Sequence, residues 1–228
     1  MDNIKDYRDK ELKSFFIGNI LILLMASPKL KYLFLSINLT EQSDPIVNVV
    51  LEILLAIIST GIISSIVFIY LFILDSMVSV KIKTSICNLW RKQPGEVIFD
   101  KIAKKNIDKR FIKQDAIKNY ASIYEKLGRL NKKEKRLVSN SEWYSIYKEH
   151  KDENMILASN KDYLLCRDLC FSTFCIICAY IFLVILKYLD FSYKFIIFLG
   201  IEFIFTNMAT RSKSWRFTLN VIAADIKK

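Results

Sequence analysis

The apolar positions of this 228-residue chain fall into two blocks, roughly 12–74 and 169–208, separated by a stretch dense in Lys, Asp, Glu and Tyr. A soluble protein spreads its apolar residues through amphipathic elements, whereas here they gather into runs that match the thickness of a bilayer. Phe15 to Ala26 is a twelve-residue apolar run followed by Ser27-Pro28-Lys29. It is short for a span of about 20 residues, and with Leu12 to Ser14 and Leu30 added it just suffices. A signal peptide and a re-entrant segment are the rival readings. The leader has no net positive charge and no small-x-small site precedes Ser27, which favours a retained span. Tyr32 to Leu39 is a second apolar patch, lying along the outer interface or continuing a helix kinked at Pro28. Within it, Asn38-Leu39-Thr40 matches the glycosylation acceptor pattern, which is common by chance.

Ile46 to Leu74 is the clearest span, 29 residues long. That is about 43 Å of helix, more than the hydrocarbon core, which predicts tilt or projection beyond it. Asp44-Pro45 supplies the start signal. Leu169 to Leu186 reads as a third span ended by Lys187, Tyr188 to Ser192 as a tight turn, and Tyr193 to Met208 as a fourth span. The fold class expected is all-α: a polytopic membrane protein with four transmembrane helices in two pairs flanking a helical cytoplasmic domain. The boundaries are 1–75 for the first pair, 76–167 for the central domain, 168–208 for the second pair and 209–228 for a basic amphipathic tail. In the central domain Ile107, Phe111, Ile117, Tyr120, Ile123, Tyr124 and Leu127 recur at near-helical spacing. Gln93-Pro94-Gly95, Gly128 and Ser139-Asn140-Ser141 are the expected breaks.

Charge orients this scheme. Of 34 Lys and Arg, 21 lie in 75–168 against 13 Asp and Glu, and 5 lie in 209–228 against 1. The first 13 residues carry 4 of each sign, and the short loops around 27–45 and 187–194 hold two Lys each. By the positive-inside rule both termini and the central domain face the cytoplasm of a bacterial inner membrane.

The chain carries no Gly-rich phosphate loop, no HExxH and no nucleophile elbow, and has five glycines in all. It is therefore expected not to be an enzyme and to use no cofactor. The one histidine, His150, stands in a charged stretch and reads as a surface residue. Cys175 and Cys178 make a CxxC flanked by Phe174, Ile176 and Ile177, an apolar setting that suits packing better than zinc, so no metal site is expected.

Glu52 and Glu202 are charges inside predicted spans, which by default face a bundle interior or a wet cavity. Asn48, Glu52, Ala56 and Ser59 share one helical stripe continued by Ile63, Ile66 and Val67. An acidic mouth followed by branched aliphatics suits a pore lined by Asn48, Glu52, Ser59, Ile63, Val67 and Glu202, built from several copies of the chain. The plainer alternative puts Glu52 at headgroup level or against a neighbouring helix, and Glu202 against Asn207, Thr206, Lys194 or a neighbouring subunit. In the central domain Lys104, Lys105, Arg110, Arg129, Lys132, Lys133, Lys135 and Arg136, with Tyr120, Tyr124, Trp143, Tyr144 and Tyr147 nearby, suit a nucleotide or single-stranded oligonucleotide ligand. A solvated or lipid-facing basic surface is the alternative, since Asp108, Asp115, Glu125 and Glu134 lie among them.

The stretch Ala209 to Asp225, with Arg211, Trp215, Arg216, Phe217, Asn220, Ala223 and Asp225, resembles the tail of small bacterial membrane proteins paired with nucleotidyltransferases, the channel effectors of the Hailong anti-phage system. That resemblance implies a homo-oligomeric ion channel held inactive by a nucleic-acid oligomer from a nucleotidyltransferase encoded nearby, and opened on infection to depolarise the membrane. A membrane-anchored adaptor that binds a protein partner without conducting ions is the alternative.

Overall fold

The computed structural model describes residues 2–26, single positions between 46 and 73, and residues 77–227. The described residues form helices and no strand: α1 (Asp2–Ala26), α2 (Val80–Cys87), α3 (Pro94–Lys104), α4 (Lys113–Asn119), α5 (Ala121–Gly128), α6 (Lys132–His150), α7 (Asn154–Ile185) and α8 (Tyr193–Ile226). The helix starts follow local chemistry. Pro94 opens α3 after an extended Gln93, where its missing N–H costs nothing. Asn131 caps α6, its Oδ1 accepting the N–H groups of Lys133 and Glu134 at 3.1 and 3.0 Å.

The break expected at Ser139-Asn140-Ser141 is absent, and α6 runs through it. Ser139 is buried and donates its hydroxyl to the Gly95 carbonyl at 2.8 Å, so packing against α3 outweighs a weak local preference. Gly95 permits that approach: a Cβ there would stand 2.5 Å from Asn140 Oδ1 and 3.0 Å from Trp143 Cε3. The third and fourth apolar segments are parts of longer helices. α7 starts at Asn154 and α8 continues to Ile226, because no proline interrupts either. Among the described residues, α7 and α8 are the helices long and apolar enough to cross a membrane. Most of the predicted second span lies outside the described residues. Its described positions, among them Ile46, Val50, Leu54, Ile57 and Ile58, are helical and exposed.

The chain divides into two compact units, one of Met1–Lys83 and Leu169–Phe205, the other of Thr84–Asp168 and Thr206–Lys228. The first unit buries Tyr180, Leu189, Phe195 and Leu199, with Ile22, Leu23 and Ala26 of α1 against them. Tyr180 packs edge-on against Phe195 with ring centroids 4.9 Å apart. Its hydroxyl accepts the Ser192 N–H at 2.7 Å and donates to the Asp190 carbonyl at 3.2 Å, which closes the turn expected at Tyr188 to Ser192. Lys187 enters that turn with φ 61°. A cavity of about 230 Å³ in this unit is lined by Phe16, Ile20, Tyr70, Cys175, Tyr180 and Phe195.

The second unit has a core of Ile98, Phe99 and Ile102 from α3, Phe111, Tyr120 and Leu127 around α4 and α5, Ile146 from α6 and Ile156 from α7. The end of α8 completes it with Phe217, Val221, Ile222 and Ala223. Phe217 is the hub, meeting Trp143 at 5.5 Å, Tyr147 at 5.3 Å and Tyr163 at 6.1 Å between ring centroids. Leu89 and Trp90, after α2, sit consecutively at φ 49° and 56°, a conformation costly for such side chains.

Candidate anion-binding site

Of the predicted pore residues, Asn48, Glu52, Ser59, Ile63 and Val67 lie outside the described residues. Glu202 is half-buried on α8, and Asn19 of α1 donates its amide to Glu202 Oε1 at 3.1 Å. Asn19 was not among the partners the sequence offered. Asn207, which was, donates instead to the Cys87 carbonyl. A carboxylate among apolar helices needs a donor, and Asn19, which supplies one, stands 183 residues away.

The predicted basic residues divide into three kinds. Arg110 is committed to the fold. Its guanidinium donates to both oxygens of Asp108, at 2.7 Å to Oδ2 and 3.1 Å to Oδ1, and to Asn220 Oδ1 of α8 at 2.7 Å. The Arg110 hydrogen bonds hold the Asp108 carboxyl below its ordinary range. Arg129 and Lys135 are paired at the surface, with Glu125 one turn earlier and with Asp100 of α3 at 2.7 Å respectively. Lys104, Lys105, Lys132 and Lys133 are exposed, and Arg136 is half-buried. Lys132, Lys133, Lys135 and Arg136 occupy the first two turns of α6, where the helix dipole disfavours cations.

The aromatic residues proposed as stacking platforms are largely core. Trp143 stacks on Tyr147 at 6.0 Å beside Phe217. Tyr120 is 3% exposed and donates to Asp225 Oδ2 at 2.8 Å. Tyr124 donates to the Phe99 carbonyl at 3.1 Å, and burial, then the Asp100 charge, push its hydroxyl up to about 12. Burial and the Asp225 contact drive the Tyr120 hydroxyl further up, so both phenols stay neutral donors. Tyr144 alone of the set is exposed, with Lys148 Nζ 5.0 Å above its ring centre.

The tail brings to this unit a cation–aromatic arrangement that the sequence reading missed. Lys101, in the last turn of α3, sets its Nζ 3.8 Å above the ring centre of Trp215. Partial burial, then the charges of Lys105 and Arg211, hold the Lys101 ammonium below the ordinary lysine range. Arg211 and Trp215 are one turn apart on α8 and therefore share a face. Lys101 thus lies within electrostatic reach of two further cations and against an indole, the combination of charge and flat ring that an anion bearing a base would need. The available signal was the i, i+4 spacing of Arg211 and Trp215 in the basic amphipathic tail, where both residues served only the resemblance.

His150 also stands elsewhere than expected. It is 2% exposed rather than a surface residue, its Nδ1 2.5 Å from Glu153 Oε1 and its Nε2 3.0 Å from Asp225 Oδ1. The charged flanks YKEHKDEN suggested solvent, but helical periodicity turns this one position inward. Burial disfavours the charged imidazole, yet the bonds to Glu153 and Asp225 outweigh it and raise its proton affinity. Compared with protein-family models, curated proteins and solved structures, the chain matches none.

Proposed function

We propose that this chain is a homo-oligomeric membrane channel or membrane-disrupting effector, controlled by a nucleotide or single-stranded oligonucleotide bound to its second unit. The observation that carries this reading concerns one helix. α8 is a candidate span by length and composition, and it also holds Trp215, over which Lys101 lies, and Arg211, whose charge reaches Lys101. A ligand drawn to those cations therefore acts on the helix that would span. In this reading Ile46–Leu74 and the apolar part of α1 supply two further spans, making four. The termini and the second unit face the cytoplasm of a bacterial inner membrane, and Glu52 stands at the outer mouth of the pore. The resemblance of the tail extends the proposal to anti-phage defence, with a nucleotidyltransferase as source of the ligand.

Planar-bilayer recording from the purified chain tests conduction, with oligonucleotide added on the side of the second unit. A ligand-dependent current is expected, and Glu52→Gln lowers its cation preference. Absence of current with every nucleotide tested, together with a monomeric particle in detergent, sinks the channel. Neutralising Lys101 and Arg211 together is expected to weaken single-stranded oligonucleotide binding. The log–log salt slope should flatten by about 1.4, roughly 0.7 per phosphate contact. Reversing Lys132, Lys133, Lys135 and Arg136 asks whether the start of α6 shares the ligand, and unchanged binding there confines the site to the α3–α8 face.

The second reading, a membrane-anchored adaptor for a protein partner, is favoured by Trp90 and Leu137, which are 80% and 65% exposed on the second unit. Capture of a partner that Trp90→Ser abolishes, with no current from the purified chain, would select it.

A further inference from the structure

His150 has a setting that neither conduction nor ligand control requires. Glu149, His150 and Asp225 present ligand atoms that all lie within 4.8 Å of one another, the one such group among the described residues. Two of the three are already held from behind. The Nδ1 side of the imidazole faces Glu153 Oε1 at 2.5 Å, which directs Nε2 toward Asp225. The far oxygen of Asp225 accepts the Tyr120 hydroxyl at 2.8 Å, leaving Oδ1 for whatever lies beside Nε2. A carboxylate behind a histidine and a hydroxyl behind a carboxylate are the outer contacts that orient metal ligands.

We propose that His150, Asp225 and Glu149 bind a borderline divalent ion of the zinc class, with Glu153 and Tyr120 as orienting residues. The distances permit it. Two ligand atoms each about 2.1 Å from one ion stand roughly 3.0–3.4 Å apart for angles from square to tetrahedral, and Nε2 and Asp225 Oδ1 are 3.0 Å apart. Glu149 is exposed, and its ligand atom already lies within 4.8 Å of the other two. One nitrogen and two carboxylates suit zinc better than calcium, which takes six to eight oxygens, or copper(I), which prefers sulfur. Charge agrees: three carboxylates, two of them exposed, lie around one imidazole, and such a cluster attracts a cation. The ion would join the end of α6 to the last turn of α8 within the second unit, so occupancy stabilises that contact by mass action.

The test uses the full chain purified in detergent, stripped with a chelator and titrated with Zn2+, then with Co2+ as a spectroscopic probe. One saturable ion per chain is expected, with a higher melting temperature by tryptophan fluorescence. Glu149→Gln, at an exposed position that leaves the fold intact, should weaken affinity by at least about tenfold. Co2+ should show visible d–d bands without thiolate charge transfer. No saturable binding, equal affinity in Glu149→Gln, or binding lost in Cys175→Ser with a thiolate band would each overturn the site.

Discussion

The two units solve opposite problems with the same secondary structure. The second unit hides most of its aromatic residues and keeps most of its cations at the surface. Phe99, Tyr120, Phe217 and Ile222 are inside, while Lys104, Lys105, Lys132 and Lys133 are outside. The first unit turns large apolar side chains outward, among them Phe182 at 60%, Ile197 at 54% and Phe205 at 67% exposure, and encloses Asn19 at 4%. A surface of the first kind suits water. A surface of the second kind is favourable only where the surroundings are apolar, in a bilayer or against further copies of the chain. The difference teaches that helix content says little here, and that the distribution of polarity around each helix is what tells the two units apart.

Tryptophan makes this comparison measurable, because Trp90, Trp143 and Trp215 all belong to the second unit. Their fluorescence reports unfolding there, while far-UV circular dichroism in detergent reports both units. Phe217→Ala should have the largest effect, about 3–5 kcal/mol lost from the tryptophan-reported transition, since it empties the centre of an aromatic cluster. An equal shift of the whole dichroism signal would break the comparison by showing that the units unfold together. Gly95→Ala comes next, at about 1–3 kcal/mol, because the new methyl group overlaps Asn140 and Trp143. Tyr120→Phe removes the hydroxyl that donates to Asp225 and should cost about 1 kcal/mol in the same transition. The smallest effect belongs to Asn19→Leu, which removes the amide on Glu202. About 0.6 kcal/mol is the typical worth of such a contact between helices in apolar surroundings. It should move the dichroism transition and leave tryptophan fluorescence unchanged.

Helical class and the apolar segments of α7 and α8 were legible because each depends on residues close in the chain. So were the turn between them and the start of α3 at Pro94. The ends of the long helices were less so. Hydropathy drops at Arg167 and after Met208, but the backbone has no reason to stop where polarity changes. Arg167 and Asp168 are instead buried against each other at 2.9 Å within the same helix. The basic character of the central region was legible as a sum, though not which cations are available. Arg110 looked equivalent to Lys105 in sequence, yet Asp108 and Asn220 occupy it.

By itself, then, the sequence determined what is local or additive: helices from periodicity, the apolar segments that become α7 and α8, the two helices among the described residues long and apolar enough to cross a membrane, and an excess of positive charge in the region before them. Only the tertiary structure decided the pairings on which chemistry depends. His150 finds Asp225 across 75 residues, Lys101 finds Trp215, and Asn19 finds Glu202 across 183. Asp225 and Glu202 are two of 23 acidic residues, and Trp215 is one of three tryptophans. Composition and spacing cannot rank them, because the choice follows from which faces pack and which polar groups lose their water when they do.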